Sequence, residues 1–133
     1  MCSLTLIRGL PGSGKSTRAK EMVDANPMTT VHVEADMWFV EDGEYKFDPT
    51  ELGKAHTWCQ NITKYHLLDG KNVVVANTFT MIKEMQSYID FANSKGIKLE
   101  IITCTGDYGS IHDVPGHAIE RMKDRWEDFV LVS

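Results

Sequence analysis

"IRGLPGSGKSTRAKEM", residues 7–22, decides how this chain is read. The apolar run CSLTLI (2–7) leads into it, and a helix-forming stretch follows. Between the two, Gly9, four intervening residues, Gly14, Lys15 and Ser16 complete the phosphate-binding loop (P-loop) pattern. Glycines let such a loop curl so that successive N–H groups point at phosphate oxygens. The helix that starts near Lys15 adds its positive end. Lys15 supplies a point charge for the β- and γ-phosphates, and the Ser16 hydroxyl supplies one position on Mg²⁺. The pattern thus implies a nucleoside triphosphate held by Gly12, Ser13, Gly14, Lys15, Ser16 and Thr17, with Ser16 as the metal residue. It does not name the reaction.

Working outward, the chain alternates strand and helix. Residues 3–9 read as a buried strand and 15–25 as a helix stopped by Asn26 and Pro27. Residues 29–35 are a second, β-branched strand, and 36–48 a loop rich in aromatics and acids. A long helix is expected over 48–70, with Asp48 as its cap and Pro49 at its first position. Residues 71–78 read as a strand buried on both faces, 82–94 as a helix and 97–104 as a fourth strand. Residues 105–116 are a loop, 117–129 a last helix, and the tail VLVS a short strand or simply an end. This alternation predicts an α/β fold, a parallel sheet with helices on both faces. Ligands of such sheets bind beyond the carboxyl ends of the strands. That rim collects residues 9–17, Asp36, Asn77, Thr78 and the loop 105–116.

Composition bounds the answer. With 133 residues, 42% apolar and 25% charged, the chain reads as a single domain, 1–133, with an ordinary core. A formal charge of −5 argues against a broad duplex-binding surface. CSLTLI is too short for a signal peptide, and no run approaches membrane-spanning length. The three cysteines match no zinc spacing, which points to reducing cytoplasm.

Asp36, at the end of the second strand, is the next candidate. A carboxylate at this rim can accept the proton of a hydroxyl attacking the γ-phosphorus, or hold that hydroxyl in line. It also reads as a metal outer-shell group or a plain turn aspartate. Trp38, Phe39, Tyr45 and Phe47 follow. They suit stacking on an unpaired base, or packing of the loop onto the long helix. Trp38 is the expected substrate contact among them. Asn77 and Thr78 read as hydrogen-bonding groups for an acceptor phosphate or for the metal's waters.

GLPGSGKST, EADMWF, GEYKFDPTELGKAHTWCQ, VVVANTFT, IHDVP and IERMKDRWE together resemble a small family of P-loop, AAA-type ATP-binding proteins of phages and bacteria, close to the kinase domain of phage polynucleotide kinase. The resemblance runs from about residue 4 to 127. It implies a three-layer P-loop sandwich whose four or five strands, numbered along the chain, lie in the order 2-3-1-4. It implies ATP with Mg²⁺, held by Lys15 and Ser16, and Asp36 as general base toward a 5′-hydroxyl. The loop after the fourth strand becomes a lid, with Val114 and Pro115 near the base.

Two departures stand out. Ala76 occupies a position where many relatives carry a carboxylate. Residues 105–116 contain no arginine or lysine, although the polynucleotide kinase lid carries arginines. Arg121 and Arg125, one helical turn apart, are the nearest replacements, with Arg125 preferred. The expected activity is transfer of the γ-phosphate of ATP to a hydroxyl, on the 5′ end of a single-stranded nucleic acid or on a small hydroxylated metabolite. The alternative is a nucleotide-binding, slow-ATPase regulatory module. The sequence leaves the oligomeric state open.

Overall fold

The computed structural model describes residues 2–106 and 116–127. Six strands are present among the described residues: β1 (Ser3–Arg8), β2 (Thr30–Val33), β3 (Val40–Glu41), β4 (Glu44–Tyr45), β5 (Asn72–Asn77) and β6 (Lys98–Thr103). Four helices accompany them: α1 (Lys15–Ala25), α2 (Leu52–Leu68), α3 (Ile82–Lys95) and α4 (Gly116–Asp124). The main sheet is parallel and runs β2-β5-β1-β6. Counting its four strands along the chain, this is the expected order 2-3-1-4.

β1 and β5 are the two central strands. Leu4, Leu6, Ile7, Val73, Val74, Val75 and Ala76 all lose their water there, as continuous apolar runs require in a sheet covered on both faces. On one face Ile7, Val74 and Ala76 pack with Ala19 of α1. On the other, Leu4, Leu6, Val33, Val73 and Val75 meet Ala55, Cys59 and Leu67 of α2 and Met85, Tyr88 and Ala92 of α3. Alternation along each strand thus sorts side chains between two helical layers.

Several boundaries, and one element, differ from the sequence expectations. β2 stops at Val33, because Glu34 leads into a short 3-10 helix over Ala35–Phe39. The expected loop over 36–48 contains a small antiparallel hairpin, β3 against β4. Asp42 and Gly43 make its turn with φ of 52° and 80°, the conformation that Asp-Gly favours between twisted strands. The last helix ends at Asp124 rather than 129, and Glu127 N donates to the Thr80 carbonyl. The expected cap falls on a different element: Asp48 Oδ1 accepts from Thr50 N at 2.9 Å and caps the 3-10 turn Pro49–Glu51, while α2 starts only at Leu52, with Glu51 as its N-cap. Most of the expected lid, with Val114 and Pro115, and the end of the chain with the VLVS tail, residues 107–115 and 128–133, lie outside the described residues.

Candidate nucleotide site

The site begins where β1 ends. Gly9 N donates to the Thr78 carbonyl at 3.2 Å, which ties the loop to the end of β5. A Cβ at Gly9 would collide with Ser13 Oγ and lie 2.8 Å from the Cys104 carbonyl, so only glycine fits there. Gly12 and Gly14 take φ of 80° and 95°. These left-handed positions curl the loop, with Ser13 N donating to the Leu10 carbonyl at 3.1 Å, into the kind of turn whose remaining N–H groups suit an anion. Gly14 is the N-cap of α1, so the cradle opens at the helix's positive end. The Ser13 hydroxyl is buried in this loop without a hydrogen-bond partner among the described residues. A phosphate oxygen is the kind of acceptor that would satisfy it.

Lys15 folds back over the loop, and its Nζ donates to the Leu10 carbonyl at 3.1 Å. Burial pulls its pKa below the ordinary lysine value, against the opposing charges of Glu34, Asp36 and Cys104. Ser16 Oγ donates to Glu34 Oε2 at 2.8 Å. His32, two residues earlier along β2, places Nε2 2.5 Å from the same Glu34 oxygen. For Glu34, burial pushes the pKa up. Hydrogen bonds from His32 and Ser16, with the charges of His32 and Lys15, more than offset this, and the carboxyl sits below its ordinary value. Sequence reading passed over Glu34, because it lay inside the expected strand 29–35 and not at its end.

Asp36 stands two residues on, in the 3-10 turn, where Tyr45 Oη donates to its Oδ1 at 3.2 Å. Burial, then the Asp36 charge and this bond, push the Tyr45 phenol up to about 12. Asn77 is turned inward. Its Oδ1 accepts from Ala35 N at 2.9 Å and its Nδ2 reaches Cys59 Sγ at 3.6 Å. It therefore fixes the backbone between Glu34 and Asp36 in place of presenting its amide at the rim. Thr78 contributes the carbonyl that holds Gly9. Thr17 is exposed on the first turn of α1. Arg125 lies past the end of α4, and its Nε donates to Thr80 Oγ1 at 3.1 Å.

One hollow borders the loop and another lies along α2. A cleft of about 360 Å³ opens between Leu10 and Ser13 on one side and Cys104, Lys123 and Trp126 on the other. An open groove of about 650 Å³ runs along α2, lined by Trp38, Lys54, Trp58, Asn61 and Tyr65. Trp38 is held by Nε1 donating to Glu51 Oε1 at 3.0 Å, with its ring 6.4 Å from that of Trp58. The other aromatics of the loop pack together: Phe39 is buried, and Tyr45 and Phe47 gather on it.

With this geometry in view, residues 4–113 match the family described as AAA domain, AAA_33. The chain belongs to that family. This AAA-domain chain is 33% identical to human NEDD4-binding protein 2 over 142 residues, covering 97% of its own length but 8% of the human protein. It thus spans a small fraction of that relative. Among solved structures, it superposes on a chain of the Pnkp1/Rnl/Hen1 RNA repair complex with a TM-score of 0.71 at 18% identity, covering 93% of this chain and 43% of that one. It superposes on a gluconokinase from Sinorhizobium meliloti with a TM-score of 0.64 at 15% identity, covering 95% and 75%. The fold is a P-loop kinase-like fold. No helix among the described residues is long and apolar enough to cross a membrane.

Proposed function

We propose that this chain is an ATP-dependent phosphotransferase that moves the γ-phosphate to a hydroxyl acceptor, most favourably a nucleic acid 5′-hydroxyl. The observation that carries the reading is Asp36 in the 3-10 turn just after Glu34, the residue whose Oε2 accepts from Ser16 Oγ of the P-loop at 2.8 Å. The cradle and Lys15 hold the triphosphate. Asp36 orients the acceptor hydroxyl and takes its proton, with Tyr45 fixing the carboxylate. Ser16 offers a hard oxygen to Mg²⁺, which when bound neutralises charge on the β- and γ-phosphates. The cleft beside Leu10 and Trp126 suits the nucleoside, and the groove at Trp38 suits an unpaired base.

The structural relatives support two acceptor classes, since one belongs to an RNA repair complex and the other is a gluconokinase. The hairpin acids Glu41 and Glu44 favour the small metabolite, and the aromatic groove favours the nucleic acid. A slow nucleotide switch is the second reading. It is favoured by Arg125, whose bond to Thr80 occupies the cation that sequence reading assigned to the transferring phosphate.

The test is γ-labelled ATP with Mg²⁺, offered with 5′-hydroxyl DNA and RNA oligonucleotides or with a pool of hydroxylated metabolites. Label on oligonucleotides, lost in Lys15→Ala and reduced about 10²- to 10⁴-fold in Asp36→Asn, supports the first reading. Label on a metabolite alone changes the acceptor. Free phosphate alone, or intact bound ATP, replaces the transferase reading with the switch.

A further inference from the structure

We propose that Glu34, supported by His32, is the carboxylate that holds the divalent cation of this site, in place of the acid missing from the end of β5. The inference rests on the nucleotide-binding reading above and adds a residue to it.

β5 ends in Ala76 and Asn77. Ala76 offers only a methyl, buried with Ile7, Ala19 and Val74 on the α1 face. Asn77 is committed to Ala35 N and Cys59 Sγ. Neither brings negative charge to Ser16. The neighbouring strand does. β2 runs parallel to β5 with Val33 opposite Val75, so the next residue, Glu34, comes alongside Ala76. Its Oε2 reaches Ser16 Oγ at 2.8 Å.

The spacing matches the ion. Mg²⁺ holds oxygens at about 2.0–2.1 Å in an octahedron, so adjacent ligand oxygens stand roughly 2.9 Å apart. The Ser16 and Glu34 oxygens already stand at that edge length. A cation can take both once the hydroxyl hydrogen turns away, with neither oxygen moving. His32, on the same strand face, braces the carboxylate as outer partners of metal ligands do. Among the described residues no three His, Cys, Asp or Glu side chains form a complete metal cluster. The remaining positions then fall to phosphate oxygens and water, the usual partners of Mg²⁺ at nucleotide sites.

The experiment uses the full chain with ADP and Mn²⁺ as the probe, following free Mn²⁺ by electron paramagnetic resonance. Metal-free ADP affinity is measured separately by calorimetry. Glu34→Gln is expected to weaken Mn²⁺ retention on the ADP complex about tenfold or more, with metal-free ADP affinity unchanged. His32→Asn gives a smaller loss in the same readout. Glu34→Gln retaining Mn²⁺ as the original chain does overturns the proposal. So does an original chain that binds ADP without retaining Mn²⁺. If Glu34→Gln fails to fold, Glu34→Asp serves. Its carboxylate is withdrawn by one methylene, so undiminished Mn²⁺ retention overturns the proposal and a loss supports it. A chain that binds no nucleotide overturns both this proposal and the phosphotransferase reading. Mn²⁺ retained through Glu34, with no label transfer to any acceptor, overturns the phosphotransferase reading alone.

Discussion

The Arg8 guanidinium stacks 4.1 Å from the centre of the Trp126 ring. Arg8 ends β1 and is fully buried. Its Nε and Nη2 donate to the Phe79 carbonyl at 3.0 and 2.7 Å, and Nη2 also reaches the Thr80 and Glu127 carbonyls at 3.3 and 2.6 Å. One side chain thus fastens the segments after β5 and after α4 to the strand that launches the P-loop. It also holds Phe79 at a φ of 45°, a strained value for a bulky residue. Arg8→Met keeps much of the volume but strips these carbonyls of a charged donor. The expected loss is about 3 kcal/mol of unfolding free energy, read as a lower midpoint in urea. An unchanged midpoint would deny Arg8 its anchoring role.

Gly9 tests the shape of the cradle. Its place against Ser13 Oγ and the Cys104 carbonyl leaves no room for a methyl. Gly9→Ala must push the loop off β6, at a cost of about 1–3 kcal/mol. ADP affinity is expected to fall with it, because the loop loses its bond from Gly9 N to the Thr78 carbonyl and its fixed curl. Calorimetry checks this, and Gly53→Ala, where nothing lies within 4 Å of the new methyl, is the control.

Tyr45 reports on Asp36. Its phenol is pushed up to about 12 from an ordinary 10.0, by burial and then by the Asp36 charge and hydrogen bond. The folded state therefore holds this proton more tightly than the unfolded chain does. The stabilisation is complete below pH 10.0 and is lost as pH rises toward about 12. Ultraviolet titration is expected to show a phenolate step near pH 12 that disappears in Tyr45→Phe and moves to lower pH in Asp36→Asn. A step that stays in place in Asp36→Asn would break the link between the two residues.

What the sequence disclosed follows from how local each signal is. The P-loop and the four main strands are written in contiguous residues, and their boundaries hold within a few positions. The hairpin of β3 and β4 was missed because two-residue strands have no periodicity to read. Asp42-Gly43 was its only mark. Glu34 was obscured because alternation carried the strand through it to Ala35, and only the sheet brings it to Ser16, 18 residues away in sequence. Arg8 carried no signal of its own within the expected strand 3–9, since its partners are carbonyls 71 and more residues distant, and carbonyls leave no trace in side-chain identity. Asn77 was legible as a polar residue at a strand end but not as one facing inward, because a single residue does not show which way the sheet turns it.

Trp38 offers the test of the acceptor side. Its Nε1 is fixed by Glu51, and its ring tilts 53° from that of Trp58, which leaves the groove along α2 open toward Lys54, Asn61 and Tyr65. An unpaired base stacking there gains about 1–3 kcal/mol per aromatic. Trp38→Ala is therefore expected to weaken binding of a single-stranded 5′-hydroxyl oligonucleotide about tenfold, read by quenching of the remaining tryptophans, while ADP affinity holds. The groove offers Lys54 but few other cations, and Glu41 and Glu44 oppose a polyanion nearby. Stacking then outweighs phosphate neutralisation, and the affinity should fall only shallowly with salt, as for about one or two phosphate contacts. A steep salt slope that Trp38→Ala leaves unchanged would move the nucleic acid to another surface. No binding of either oligonucleotide chemistry would leave the small metabolite as the acceptor, with the hairpin acids as the residues that exclude polyanions from it.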